Sequence, residues 1–261
     1  MVKSAIKLFL QLTYIGFALA RQHITSYVTS LLGSVFWFIL LMIPSAMYSG
    51  NPEALVVLYL PSYLAMAICM VSISSSVEFL RWYVYDGLTD MYREAGLGVY
   101  HYVLSGFVVD ASFAFTSFAI LASIAGQYAG LSPMWFLRLN PVFIPLVILA
   151  SLSTEVFFGG LTSVIYTNTR LGGGFHGFLQ MAVAISTYTP LWLLPNPFIG
   201  FVNPAILLAE VMRAGYGYST IPGDLLLIIS PGLIALYFLV GFALFKAADK
   251  TIAKYGLEFR V

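Results

Sequence analysis

Residues 225–245 read LLLIISPGLIALYFLVGFALF, twenty-one consecutive positions without a charge, closed by Lys246. A helix rises ~1.5 Å per residue, so this stretch covers the ~30 Å hydrocarbon core of a bilayer. Working outward from it, five more apolar stretches occupy 28–47, 55–77, 103–126, 142–166 and 177–195, the last of them short and rich in Pro. The chain is 60% hydrophobic and 9% charged, with a mean hydropathy of +0.91. That is too little polar surface to wrap a water-facing exterior. The expected fold class is therefore an all-α integral membrane protein of six spans, forming one transmembrane domain over 1–261.

Charge placement gives the expected topology. Lys3, Lys7, Arg21, Arg81, Arg93, Arg170, Lys246, Lys250, Lys254 and Arg260 fall on one side of the six spans, and only Arg138 and Arg213 on the other. Basic residues concentrate on the cytoplasmic side, which predicts a multi-pass protein of the cytoplasmic membrane with both termini inside. Within residues 3–22 the apolar run Leu8 to Ala20 gives only ~20 Å of helix, too short to cross. Lys3, Lys7, Gln11, Tyr14 and Arg21 make one polar stripe on an otherwise apolar helix, the pattern of a helix lying in the interface. Ala18-Leu19-Ala20 also resembles the end of a cleavable signal peptide, but cleavage would invert every later loop against the charge rule. Cys69 is the single cysteine, so an intrachain disulfide is excluded.

Three regions depart from plain apolar helix. The inner stretch from Glu78 to Glu94 mixes Arg81, Asp86, Asp90 and Arg93 with Phe79, Trp82, Tyr83 and Tyr92, a composition suited to docking another protein. Its aromatics also suit a juxtamembrane helix among headgroups. On the outer side, Pro190, Pro195, Pro197, Pro204 and Pro222 preclude one helix across 189–224, yet much of it is too apolar for a solvated loop. We expect short half-helices over 196–222 that enter the membrane and return, with Glu210 and Arg213 spaced to pair. Asp110 and Glu155 lie within the third and fourth spans. A charge at that depth costs roughly 2.5–3.5 kcal/mol, so both should face the bundle, bonding to hydroxyls such as Ser151, Ser153 and Thr154 or lining a transport path.

Catalytic patterns fail on inspection. Asp86-Gly87 resembles part of the metal-binding run of CDP-alcohol phospholipid synthases, but Tyr83 stands at the first Asp and Asp90-Met91 replaces Ala-Arg. A membrane-embedded lipid transferase at Asp86 and Asp90 is thus a weak alternative. Gly172-Gly173-Gly174 is followed by no Gly-Lys-Ser/Thr, so an ATP-binding P-loop is missing from this chain. His23, His101 and His176 are isolated, without metal-ligand spacing. Neither a cofactor, a metal nor nucleic acid is expected on this chain.

The order of these features resembles the permease subunits of ABC exporters, ABC-2 type. Glu78, then Asp86-Gly87-Leu88-Thr89-Asp90, then Gly106 is similar to that family's "Glu … Gly-Thr-Leu-Glu … Gly" inner pattern. Asn203-Pro204 followed by Glu210 and Arg213 resembles its "Asn-Pro … Arg" segment before the last span, and Lys246, Lys250, Lys254 and Gly256 fit its tail. Leu88-Thr89 reverses the family order, and Gly96-Leu97-Gly98 stands where members usually carry Pro. The resemblance implies a second permease, either the same chain or a relative, and a separate ATPase subunit that carries ATP and Mg. It implies a cytoplasmic coupling helix within 78–94, with coupling through Glu78, Arg81, Asp86, Gly87, Asp90, Arg93, Glu94 and Arg170, and an outer gate at Pro190, Pro195, Asn203, Pro204, Glu210 and Arg213. The cargo would be amphipathic or lipid-linked. An ion-coupled secondary transporter using Asp110 and Glu155 is the alternative.

Overall fold

The structure, a computed structural model, describes residues 51–85, 98–168, 173–188 and 191–255, together with fifteen residues between 10 and 36, all helical. The helices are α1 (Pro52–Tyr85), α2 (Val99–Tyr128), α3 (Ile144–Asn168), α4 (Gly173–Tyr188), α5 (Pro204–Gly215) and α6 (Gly223–Tyr255). Short 3-10 turns at Trp135–Arg138, Pro141–Phe143, Leu191–Leu193 and Pro197–Val202 fill the connections, and the described residues contain no strand. Four segments are long and apolar enough to cross a membrane: Leu58–Val77, Gly106–Gln127, Pro141–Asn168 and Gly223–Lys254. Apolar side chains such as Ile228, Leu236, Leu239 and Phe242 of α6 are exposed, as a lipid-facing surface requires.

One of the six expected spans comes out differently, and another falls mostly beyond what the structure describes. Most of 28–47 lies outside the described residues, as does most of the interfacial segment 3–22. The stretch 177–195 is not one helix. α4 has 16 residues and ends at Tyr188, giving ~24 Å of helix, less than the hydrocarbon core. Beyond it come a 3-10 turn and a bend that contains Pro195. At the inner loop, α1 continues unbroken to Tyr85, so Glu78 to Tyr85 prolong a span instead of opening a separate coupling helix. The remainder of that region, 86–94, lies outside the described residues.

Helix starts follow one local rule. Asn51-Pro52, Asn140-Pro141, Asn196-Pro197 and Asn203-Pro204 each place Pro at the first helical position. Proline's fixed φ and missing N–H cost nothing there. In the last three the Asn Oδ1 accepts from the backbone N–H two residues on, of Val142 (3.1 Å), Phe198 (3.0 Å) and Ala205 (2.9 Å). Hydrogen bonds fasten the start at Asn140 to the C-terminal end of α5. The Asn140 N–H donates to the Gly215 carbonyl at 2.9 Å, and the Tyr216 hydroxyl donates to the Phe136 carbonyl at 2.7 Å. Gly217, at φ +81°, lets the chain turn out of α5.

α3 and α6 make the most extensive contact, and it is backbone on backbone. A Cβ on Gly160 would lie 2.5 Å from the Gly241 carbonyl oxygen, and one on Gly241 would lie 2.6 Å from that of Val156. Small residues permit such approach, and close packing drives helix association where lipid offers no hydrophobic gain. Around this pair α1 packs on α2, α3, α4 and α5. Gly241→Ala should lower unfolding stability in detergent by ~1–3 kcal/mol, since backbone cannot move aside. Gly232→Ala, on the same helix with open space at its Cβ, should be neutral or stabilise by up to ~1 kcal/mol. Thermal or denaturant unfolding of the two variants side by side checks the contrast.

Candidate functional site

Polar groups inside the bundle gather in two knots on α1, separated by apolar packing through Leu64, Ala65 and Ile68. The first is the pair expected from its spacing on α5. Arg213 and Glu210 form an ion pair with both side chains fully buried. Arg213 spends its other donors on α1: Nη2 bonds the Ser62 hydroxyl, and Nε donates to the Leu58 carbonyl at 2.9 Å. Pro61 lies in that turn and lacks the N–H that would close the helical ladder. The second carboxylate oxygen of Glu210 accepts the Thr220 N–H at 3.1 Å. This knot therefore ties α1, α5 and the entry to α6 together.

The N-terminal end of α5 is held from two sides. Asn203 caps it through Oδ1 and donates from Nδ2 to the Ser186 hydroxyl of α4 at 2.6 Å. The Tyr237 hydroxyl of α6 donates to the Phe201 carbonyl in the 3-10 turn just before it. Beside this turn runs a groove of about 540 Å³, lined chiefly by apolar groups including Phe157, Val183, Ile199, Val202 and Ile206. Its polar side chains, Asn203 and Ser186, are bonded to one another, so the groove suits an apolar occupant. Of the remaining outer residues, Pro204 is buried at the first turn of α5, Pro195 is exposed in its bend, and Pro190 lies outside the described residues.

The second knot sits ~20 Å along α1 from Ser62, as the thirteen-residue separation to Ser75 dictates. Here the run Ser72-Ile73-Ser74-Ser75-Ser76 distributes its hydroxyls among three helices. Ser72 donates to the Glu155 backbone carbonyl of α3 at 2.7 Å, and Ser75 donates to Asp110 Oδ2 of α2 at 3.0 Å. Ser74 accepts from Gln180 Nε2 of α4 at 3.1 Å, and Ser76 closes back on the Ser72 carbonyl at 2.9 Å. Glu155 is 1% exposed, and its Oε1 has no hydrogen-bond partner among the described residues. Ser72 and Ser75, about one turn apart on α1, bring the Glu155 backbone and the Asp110 carboxyl to a similar level of the bundle. The expected hydroxyl partners on α3 do not serve them: Ser153 bonds the Ala150 carbonyl, and the Ser151 and Thr154 hydroxyls are unbonded among the described residues.

The expected coupling residues fall at the edge of what the structure describes. Glu78 and Arg81 lie on α1, their side chains outside the described set, and Asp86, Gly87, Asp90, Arg93, Glu94 and Arg170 lie outside it altogether. The nearest described polar cluster at that end is at the start of α2. His101 Nδ1 accepts the Gly98 N–H at 2.9 Å, and Asp249 of α6 stands against Gly98. Burial lowers the His101 pKa, opposed by the Asp249 charge and the Gly98 bond. Sequence reasoning missed the serine run and Gln180. The signal was readable: four Ser in five positions inside an apolar span is costly unless each hydroxyl has work to do.

The chain matches no family model, and no curated protein or solved structure matches it.

Two predictions follow from these contacts. Arg213→Leu strands the buried Glu210 carboxylate and should cost ~3–5 kcal/mol of stability, whereas pairing it with Glu210→Gln should recover most of that loss. Denaturant unfolding of the single and double variants measures both. Only neutral imidazole can accept the Gly98 N–H. With a folded-state pKa below the ordinary value of about 6.5, the His101 contribution is complete above that ordinary value and is lost as pH falls through the lowered one. His101→Gln should flatten the acid limb of the stability–pH profile.

Proposed function

We propose that this chain is the transmembrane subunit of an exporter whose energy comes from ATP hydrolysed on a separate subunit. The observation that carries the reading is the Pro-broken segment ahead of the last long helix. A capped twelve-residue helix, buried along nearly its whole length, is inserted between α1, α3 and α6 where a simple connection needs only a short loop. Irregular backbone at membrane depth is tolerated where protein or a cavity covers it. The sequence likeness to ABC-2 permeases supports the same reading, with both termini cytoplasmic and a second permease completing the path. In this arrangement the ATPase pushes on the end of α1 beyond Glu78. α1 carries both polar knots, so a rigid-body shift of it moves the capped helix at the opposite end. The apolar groove beside Asn203 fits an amphipathic or lipid-linked cargo.

A second reading, coupling to an ion gradient, is favoured by one observation: a glutamate buried at mid-bundle with an unpartnered carboxyl oxygen. The two readings separate cleanly. Tagged chain purified from its native membrane should bring down a P-loop ATPase, and the reconstituted pair should hydrolyse ATP and move cargo. Charge reversal at Arg81, Asp86, Asp90 or Arg93 should cut transport at least about tenfold, equivalent to ~1.4 kcal/mol of coupling. Unimpaired transport by all four reversals, or gradient-driven transport by this chain alone in proteoliposomes, would overturn the ATP-driven reading. Gradient-driven transport abolished by Asp110→Asn with Glu155→Gln would establish the second.

A further inference from the structure

We infer that Glu155 is a proton-binding site inside the bundle, loaded with a proton in the resting fold and exchanging it through Asp110. The argument starts from what a glutamate at this depth needs. An ionised carboxylate removed from water requires a cation, or several donors aimed at its oxygens. Among the described residues the fully buried cation is Arg213, and it is committed to Glu210, Ser62 and the Leu58 carbonyl at the other knot. The donors nearest Glu155 are also committed. Ser72 donates to its backbone carbonyl, Ser76 to the Ser72 carbonyl and Ser75 to Asp110.

A metal ion fits the surroundings poorly. Hard cations take six or more oxygen ligands, and no group of three His, Cys, Asp or Glu side chains gathers among the described residues. The groups facing Glu155 are few. From α1 come the buried Cys69 thiol and Ser72, and from α2 the Asp110 carboxyl. At the neighbouring turns α6 brings Gly241, Leu244 and Phe245. The titratable groups of α5, Glu210 and Arg213, are used in the distant knot. With a second carboxyl nearby and no cation beside Glu155 among the described residues, Glu155 is the acid that keeps its proton.

Burial and bonding assign the roles. Asp110 is part-exposed and accepts the Ser75 hydroxyl, whereas Glu155 Oε1 is buried and unbonded among the described residues. Loading and release make and break one O–H bond, with the proton passing between Glu155 and bulk water by way of Asp110. This inference shares its residues with the ion-coupled reading and names the ion as a proton. Its test reads the proton itself, so it fails or survives apart from any transport result.

The experiment is infrared spectroscopy of the full chain in lipid nanodiscs at neutral pH, with and without carboxyl-¹³C glutamate. A protonated-carboxyl C=O band that shifts on glutamate labelling and vanishes in Glu155→Gln is the expected result. Its shift in D₂O should be slowed at least several-fold by Asp110→Asn. No such band at neutral pH overturns the inference. So does a band that responds to labelled aspartate instead, or one that appears only when sodium and potassium are withdrawn. Deuterium exchange unaffected by Asp110→Asn removes Asp110 from the route. Should Glu155→Gln fail to fold, the labelled wild type still decides, because Glu210 is paired with Arg213 and the other glutamates flank the apolar stretches in sequence.

Discussion

Hydrocarbon solvates no polar group, so each one inside this bundle must find its partner in the protein. Many of the hydrogen bonds that join one helix to another use α1. This helix carries a hydroxyl at Ser62 for Arg213 and a run at Ser72 to Ser76 for α2, α3 and α4. Between the two knots α1 presents mainly apolar side chains and small groups to its neighbours, Tyr63 excepted. A helix pinned at two points ~20 Å apart, with a smooth apolar middle, transmits displacement as a rod. A single distributed network would instead dissipate it.

The contact of α3 with α6 answers a different need. Gly160 and Gly241 let two backbones meet with no side chain between them, which gives close dispersion contact without a polar group to satisfy. The two contact types divide the labour within the bundle. The glycine seam fixes α3 and α6 as one body, while the hydroxyl and ion-pair knots fasten α1, α5 and the turn regions around it. Breaking a buried charge pair is expensive, but exchanging one hydroxyl partner for another costs little. The seam is therefore the rigid part, and the knot at Ser72 to Ser76 is the part able to rearrange.

What the sequence revealed depended on how local its signal was. Four long helices were legible because an uncharged run such as 225–245 admits no other fold in quantity. The pairing of Glu210 with Arg213 was legible because three-residue spacing on a helix is a purely local relation. The partners of Asp110 and Glu155 were not. They come from Ser72 and Ser75 on another helix, a relation that depends on rotation and register, which hydropathy does not encode. The Asn-Pro steps lie between these cases. Each is a local capping signal, but its use at four helix starts emerges only when the starts are compared.

α4 shows how a short helix is accommodated. Sixteen residues fall short of the hydrocarbon thickness, and the chain beyond Tyr188 neither extends the helix nor returns at once to water. It continues through the short turns Leu191–Leu193 and Pro197–Val202, where the Gly200 carbonyl accepts the Asn203 N–H and the Phe201 carbonyl accepts the Tyr237 hydroxyl of α6. Such an element is cheap to reshape, because its ladder is already interrupted and only a few side-chain bonds hold it. Rigid rods on one side and an interrupted, capped element on the other make the end of the bundle near Asn203 the place where movement of α1 would be felt first.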